Sequence, residues 1–276
     1  MIAFLSSNPF REVPPPGWEE GLLHSIWLNL IRADRYMFYI NGLSVTVRVT
    51  LGALVMGLIL GFVLSLMKTS NLGFPMGNSG RRIYILRAIA TAYITVVRGT
   101  PMVLQIMLWW FGVFAGTDMP RIWVAVIAFG VNSGAYSAET FRAGILSVDK
   151  GQTEAGRSVG LSSFQTMRLI ILPQALKNAL PPLFNELIAL LKETAVVGWI
   201  GLQDLTMASS IVRSRTYSAF TPIIISAVVY LSIVFILTWL LGMVEKRLRK
   251  GDVRSADTGR QGRGFFRRTA GGGDGL

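Results

Sequence analysis

The amino-acid sequence contains several apolar runs long enough to cross a lipid bilayer. A run of about 18 or more apolar residues without charge spans a hydrocarbon core about 30 Å thick. Residues 49–67, 99–117 and 216–244 meet this criterion. Residues 122–138 form a slightly shorter run, and residues 179–200 form a run that charged side chains interrupt. The sequence therefore predicts an all-α, polytopic membrane protein with five transmembrane helices.

The composition agrees with a membrane protein. Of the 276 residues 51% are hydrophobic and 15% are charged, whereas a water-soluble domain has a charged fraction near a quarter. The first residues lack the basic start and long apolar stretch of a signal peptide. We expect residues 1–40 to form an extended lead-in and an amphipathic helix at the membrane interface, or alternatively a packing arm without membrane contact.

The distribution of basic residues predicts the orientation. Cytoplasmic loops are enriched in Lys and Arg, and five spans with the N-terminus outside and the C-terminus in the cytoplasm put three basic clusters on the inner side. Arg213 and Arg215 are exceptions. The clusters are Lys68, Arg81, Arg82 and Arg87; Arg142, Lys150, Arg157, Arg168 and Lys177; and Lys246, Arg247, Arg249 and Lys250. This pattern accounts for the net charge of +12 without nucleic acid as a partner.

The chain offers no residue set for catalysis or metal binding. It has no cysteine and one histidine, His24, so we expect neither a metal site nor a cofactor. No nucleophile and base pattern is visible. The segment 246–276 is rich in Gly and Arg with little to bury, and it is predicted to be a disordered cytoplasmic tail. Residues 41–245 are predicted to be the membrane domain.

A polar insert at residues 142–178 lies between two apolar runs. Asp149 with Gln152, and Ser162 with Gln165, have the spacing of capping boxes that begin two short helices. Gly160 can end the first helix in a left-handed conformation, and Pro173 is expected to stop or kink the second. These helices are too polar to span a bilayer, so the insert is either a docking surface or a simple linker.

The residues of this insert resemble a known family. GAYSAETFRAGILSVDKGQTEAGRSVGLSSFQTMRLIILPQALKNALPPLFNELIALLKETAVVGWIG and the earlier VVRGTPMVLQIMLWWFG resemble the permease subunits of ATP-binding cassette (ABC) importers for polar amino acids, the histidine, glutamate, glutamine, arginine and opine type. The resemblance covers residues 96–201. It implies a type I ABC-importer permease in the bacterial inner (plasma) membrane.

In that family the insert is called the EAA loop, and it docks into a separate ATPase subunit. The resemblance implies that role for Glu154, Ala155, Gly156, Gly160, Leu161, Leu172 and Pro173. Gly156 departs from the family's usual alanine, and glycine costs about 1 kcal/mol of helix propensity. No lysine follows a glycine, so a GxxxxGK[ST] phosphate loop is absent and ATP hydrolysis is assigned to the partner.

Polar side chains within the apolar runs are candidates for the substrate pathway, because such groups are costly in a membrane. Helical spacing puts several of them on shared faces. An internal salt bridge that fixes helix packing is the alternative for each. The candidates are Arg98, Gln105, Asn132, Tyr136, Glu139, Asn185, Lys192 and Glu193.

These observations predict a permease subunit that translocates polar, or more narrowly basic, amino acids and is not itself an enzyme. Its predicted partners are two ATPase subunits, a second permease copy or a paralogue, an extracytoplasmic solute-binding protein and the bilayer. The alternative is an ion-coupled carrier or channel that works without an ATPase, which leaves the insert without a role.

Overall fold

The computed structural model describes the backbone of residues 13–69 and 80–269, and the side chains of residues 13–69 and 85–247. This part of the chain is helical and contains no strand. The elements are α1 (Gly21–Ile26) with a π turn (Trp27–Ile31) and a 3₁₀ turn (Arg32–Asp34), α2 (Tyr36–Thr69), α3 (Gly80–Arg98), α4 (Met102–Leu108) with a π turn (Trp109–Val113), α5 (Arg121–Leu146), α6 (Lys150–Ser158), α7 (Ser163–Thr166) with a π turn (Met167–Ile171), α8 (Leu172–Glu193) with a 3₁₀ segment (Thr194–Ile200), α9 (Leu205–Thr216) and α10 (Thr221–Thr269).

Between two and four candidate spans are present in the described residues. Tyr36–Thr69 and Thr221–Arg247 are long and apolar enough to cross a membrane as single helices. Two bent pairs meet the same test only if each pair counts as one span. The pairs are Ile85–Arg98 with Met102–Val113, bent by 107°, and Ser163–Ile200 with Leu205–Thr216, bent by 52°. Five spans and their orientation remain a prediction.

The second predicted span, residues 99–117, is not one continuous helix. The chain breaks between α3 and α4 at Gly99 and Pro101. Proline lacks the backbone N–H that a helix interior needs. The helix that follows, Met102–Val113, consists of segments of 7 and 5 residues and is about 18 Å long, so it is too short to cross a membrane alone.

Helices α2 and α5 form the centre of the first of two compact units, Met1–Val234 and Phe235–Leu276. They approach closely because small residues line both faces. A Cβ on Gly57 would lie 2.7 Å from Ser133 Oγ, and a Cβ on Gly61 would lie 2.5 Å from Ser137 Cβ. The GxxxG pair of α2 is therefore used for packing inside the chain.

The lead-in is folded against the membrane domain. Trp27 is 2% exposed, and the buried Asn29 side chain donates to the Ser25 carbonyl and to Ser218 Oγ, at 2.7 and 3.2 Å. Thr216 Oγ1 donates to Asn29 Oδ1 at 2.8 Å. These bonds pack the segment against residues at and after the end of α9, and both predictions for it, at the membrane interface or without membrane contact, stay untested predictions.

Two helix ends differ from the sequence-based boundaries. Helix α2 begins at Tyr36 and passes through Arg48, whereas the lead-in was predicted to reach residue 40 and the apolar run to start after Arg48. A long helix tolerates one Arg because its flexible side chain keeps the charge at the surface.

Helix α10 continues to Thr269, into the segment predicted to be disordered. No proline follows Pro222, so no residue of this segment lacks the backbone N–H that a helix interior needs.

Candidate functional site

The polar insert forms two short helices, α6 and α7, joined by a tight turn. Asp149 caps α6 by accepting from the Gly151 N–H at 2.6 Å, so it is an N-cap, although the reciprocal bond predicted with Gln152 is not part of it. Ser162 and Gln165 form the complete capping box predicted for α7. Both helix starts therefore have partners for their free N–H groups.

The turn between the two helices depends on Gly160. Its φ is +85°, the left-handed region predicted for it. The Leu161 N–H donates to the Gly156 carbonyl at 3.1 Å, and Arg157 Nη1 donates to the Leu161 carbonyl at 3.1 Å. This arrangement satisfies the last carbonyls of α6 and fixes the angle at which α7 leaves it.

Gly156 is buried where α6 packs on α7. A Cβ there would lie 2.7 Å from Thr166 Cγ2 and 3.0 Å from Ile170 Cδ1. Ile145, Met167, Ile171 and Ala175 form the apolar core below this contact. The glycine that departs from the family pattern thus permits a closer approach of the two helices than alanine would allow.

The outer face of the insert is exposed and partly apolar. Glu154 and Ala155 lie at the surface of α6. Val159 is 76% exposed, Phe164 49% and Leu169 61%. Large apolar side chains that are exposed on a polar segment indicate an interaction surface. We call these five residues the docking face.

Leu172 and Pro173 begin α8 instead of ending α7. Pro173 lies in the first turn of α8, where its missing N–H is tolerated. The π turn Met167–Ile171 precedes it and joins the docking helices to α8 without a loop. The helix continues past Pro173, so the expected stop is wrong, whereas the kink that was the other expectation stays a prediction.

A second group of candidate residues surrounds the break between α3 and α4. Gln105 Nε2 donates to the carbonyls of Val97 and Thr100, at 2.7 and 3.0 Å, and its Oε1 accepts from Asn132 Nδ2 at 3.1 Å. Gln105 and Asn132 are both buried. Gln105 thus satisfies carbonyls that the broken helix leaves unpaired, and Asn132 of α5 is hydrogen-bonded to Gln105.

Other candidates on these helices leave polar atoms accessible. The Arg98 guanidinium lies 5.0 Å from the centre of the Tyr136 ring, close enough for a cation–π contact. Both side chains are exposed. Ser133 Oγ donates to Glu186 Oε1 at 3.2 Å, which brings a carboxylate of α8 against α5. The structure thus places one cation and one anion along the same helical wall.

Glu139 is engaged by two basic side chains. Its carboxylate pairs with Lys68 of α2 and with Arg142, whose Nη2 lies 3.0 Å from Glu139 Oε2. This is the internal salt bridge that was the alternative to substrate contact. The Lys68–Glu139 ion pair joins the end of α2 to α5 near the insert.

Asn185, Lys192 and Glu193 are exposed on α8. Among the described residues, none of the three side chains makes a hydrogen bond.

Sequence reasoning did not select Glu186 or Lys68 as site residues. The helical spacing of Glu186 and Glu193 was a usable signal, whereas the Lys68–Glu139 pair joins residues 71 positions apart and had none.

The described residues form a helical bundle whose polar insert exposes large apolar side chains. The chain matches the family described as "Binding-protein-dependent transport system inner membrane component" over residues 70–250, which is more than half of its length, so it belongs to that family. Members of this family are transport subunits; the family description names a binding protein, and the ABC class of the similar amino-acid transporter structure implies an ATPase partner in general terms.

Individual relatives agree. The chain is 40% identical over 217 residues to the arginine transport system permease protein ArtQ of Bacillus subtilis, covering 78% of this chain and 94% of the relative. It is 36% identical over 218 residues to a putative glutamine transport system permease protein GlnP of Rickettsia bellii, covering 78% and 95%. The predicted resemblance to polar amino-acid ABC permeases is confirmed.

Solved structures support the fold. A crystal structure of an amino acid ABC transporter with histidines is 39% identical, with a TM-score of 0.69, and covers 77% of this chain and 94% of that chain. An inward-facing structure of the MetNI methionine ABC transporter is 18% identical with a TM-score of 0.65, covering 78% and 98%, and shows the fold alone. None of these matches supports the ion-coupled carrier or channel.

Proposed function

We propose that this chain is the membrane permease through which a polar amino acid enters the cell, and that the docking face receives a separate ATPase subunit. The observation that carries the proposal is the docking face, whose exposed apolar residues lie at the end of α6, in α7 and in the π turn, beside a buried core and continuous with α8. A surface of this kind transmits force only if it is rigid, and the caps and the Gly156 contact supply that rigidity.

The working assembly in this proposal lies in the bacterial inner membrane. It contains two permease chains, identical or paralogous, with two ATPase subunits on the cytoplasmic side and a solute-binding protein outside. Closure of the ATPases on ATP draws the two docking faces together. The continuous π turn and α8 then transfer this movement to the helices that line the pathway, which alternate in their access to the two sides.

The pathway is proposed to run along the wall that carries Arg98, Tyr136 and Glu186, with Asn185, Lys192 and Glu193 beside it on α8. A zwitterionic amino acid needs a donor for its carboxylate and acceptors for its ammonium. Arg98 supplies the donor and Glu186 with Glu193 the acceptors. Two carboxylates also suit a basic side chain, and this supports a basic amino acid as the narrower substrate class.

The coupling role is tested in proteoliposomes that contain the chain, its ATPase and its binding protein. Glu154→Lys reverses an exposed charge of the docking face, and Gly160→Asp forces an L residue into the left-handed region at a cost of about 1–2 kcal/mol. We expect both variants to insert normally and to lose substrate-stimulated ATP hydrolysis. The matched control is Arg213→Glu, a charge reversal on the exposed surface of α9, outside the insert.

Loss of stimulation in the two loop variants with normal stimulation in the control supports docking at this face. If the wild-type chain purifies and transports without any ATPase, the docking proposal fails. If all three variants behave like the wild type, the ATPase binds elsewhere on the chain.

The pathway is tested by transport kinetics. Arg98→Gln and Glu186→Gln are expected to raise the KM for the amino acid by about tenfold or more each, because a lost charge-assisted hydrogen bond costs about 1.5–3 kcal/mol. Glu139→Gln serves as the control, since its carboxylate is already paired. An unchanged KM in both pathway variants would remove these residues from the substrate site.

A further inference from the structure

A cavity at the junction of α2 and α9 has no role in the mechanism above. Its volume is about 240 Å³. This is below the range of about 300–1,000 Å³ that is typical for drug-sized ligands, so the cavity suits one polar head group. It is lined by Phe38, Asn41, Gly42, Val45, Arg48, Gln203, Ala208 and Ile211.

The floor of this cavity is rigid. A Cβ on Gly42 would lie 2.6 Å from the Asp204 carbonyl oxygen, so α2 approaches the start of α9 closely. The Leu205 N–H donates to Thr46 Oγ1 at 3.2 Å. Asp204 accepts from the N–H groups of Thr206 and Met207, each at 2.9 Å. The N–H groups at the start of α9 therefore already have hydrogen-bond partners. A ligand in the cavity must bind the side chains that line it.

Arg48 is the charged group of the cavity and has spare donors. Its Nε donates to the Ser44 carbonyl at 3.2 Å. Within the described residues, no carboxylate lies at ion-pair distance from its guanidinium. Asn41 and Gln203, whose side-chain amides carry N–H donors, line the same cavity. A guanidinium and two amides in one cavity are suited to a phosphate or carboxylate group.

The position of Arg48 along α2 indicates which anion is available there. Lys68 lies 20 positions further along the same helix, which is about 30 Å at 1.5 Å per residue. That distance equals the thickness of a hydrocarbon core, so if Lys68 lies at one interface, Arg48 lies at the head groups of the other.

The exposed face of α2 below Arg48 is apolar. Leu51, Val55, Ile59 and Val63 are each at least half exposed and follow Arg48 at helical spacing. A lipid whose phosphate reaches Arg48 can lay its acyl chains along these residues. A free anion or an amino acid has no acyl chain to contact these exposed apolar residues of α2.

We propose that this cavity is a binding site for the phosphodiester of an anionic phospholipid in the outer leaflet, with Arg48 as the phosphate ligand and Asn41 and Gln203 as supporting donors. The site is separate from the docking face and from the substrate wall. Occupation would hold α2 and α9 together at the membrane surface.

The test uses the purified full-length chain and native mass spectrometry during titration with phosphatidylglycerol. Arg48→Gln is expected to weaken retention of the lipid about tenfold, and Gln203→Leu about threefold, in line with a charged and a neutral hydrogen bond. Arg213→Gln, an exposed arginine of α9 that does not line the cavity, is the matched control and is expected to bind like the wild type. Thermal melting checks that each variant is folded.

Several outcomes overturn the proposal. Equal lipid retention in Arg48→Gln and wild type removes the site, and an equal loss in Arg213→Gln means that the attraction is nonspecific. Displacement of the lipid by inorganic phosphate or by the transported amino acid assigns the cavity to a small anion. Loss of the permease dimer in Arg48→Gln, with lipid retention unchanged, assigns Arg48 to a contact between two copies.

Discussion

Gly156 shows how one missing methyl group sets the distance between two docking helices. Alanine would improve the helix propensity of α6 by about 1 kcal/mol, yet its Cβ would lie 2.7 Å from Thr166 Cγ2. Overpacking a core costs about 1–3 kcal/mol. Because Thr166 is buried and β-branched, it has little room to move, and the steric cost is expected to exceed the gain.

We therefore predict that Gly156→Ala lowers the free energy of unfolding of the chain by about 1 kcal/mol and weakens ATPase coupling. Thr166→Ala removes the conflicting methyl, so the double variant is expected to recover stability relative to Gly156→Ala alone. Differential scanning fluorimetry of the four proteins measures this interaction. Strictly additive effects would show that the two residues do not meet.

At the ends of α2 and α5, the structure gives Glu139 two cationic partners. We predict that Glu139→Gln and Lys68→Gln each cost about 1 kcal/mol, as expected for a partly exposed ion pair, and that the double variant costs no more than either alone. Thermal denaturation and transport kinetics provide the measurements. A KM that rises in Glu139→Gln but not in Lys68→Gln would instead place substrate at Glu139.

Between elements, the packing of α2 on α5 depends on residues without side-chain bulk. A Cβ on Gly61 would lie 2.5 Å from Ser137 Cβ and 2.9 Å from the Ala138 backbone nitrogen. A backbone atom cannot move without moving its helix, so the cost falls on the whole interface.

Gly61→Ala is therefore predicted to destabilise the chain by about 2 kcal/mol or more. Gly242→Ala is the matched control, because a Cβ at Gly242 meets nothing within 4 Å and alanine improves helix propensity. Fluorescence-detected gel filtration after heating compares the two. Similar melting of both variants would mean that α2 and α5 have freedom to separate.

The whole molecule is predicted to cross the membrane five times with the docking face in the cytoplasm. The chain has no cysteine, so single cysteines can report each side without a background. In intact cells, Asp118→Cys and Ser214→Cys are expected to react with an impermeant maleimide, whereas Ser158→Cys and Arg168→Cys are expected to react only after permeabilisation. Labelling of Ser158→Cys in intact cells would reverse the orientation.

Local chemistry determined much of what the sequence alone predicted. Long apolar runs require helices in a bilayer, and Ser162 with Gln165 defines the start of α7 through contacts three residues apart. Gly160 was predicted to be left-handed for an equally local reason. Pro101 removes a helix hydrogen bond within its own turn, which is a local reason for the break next to Gly99.

Only the tertiary structure decided which polar side chains are hydrogen-bonded or ion-paired to another helix and which are not. Gln105 donates to two carbonyls at the broken helix and accepts from Asn132, and Glu139 is paired across 71 positions of sequence. The reason for Gly156 lies in Thr166, on another helix. Each of these depends on which helices lie side by side, and helical periodicity specifies the face of a side chain but not the partner that the face meets.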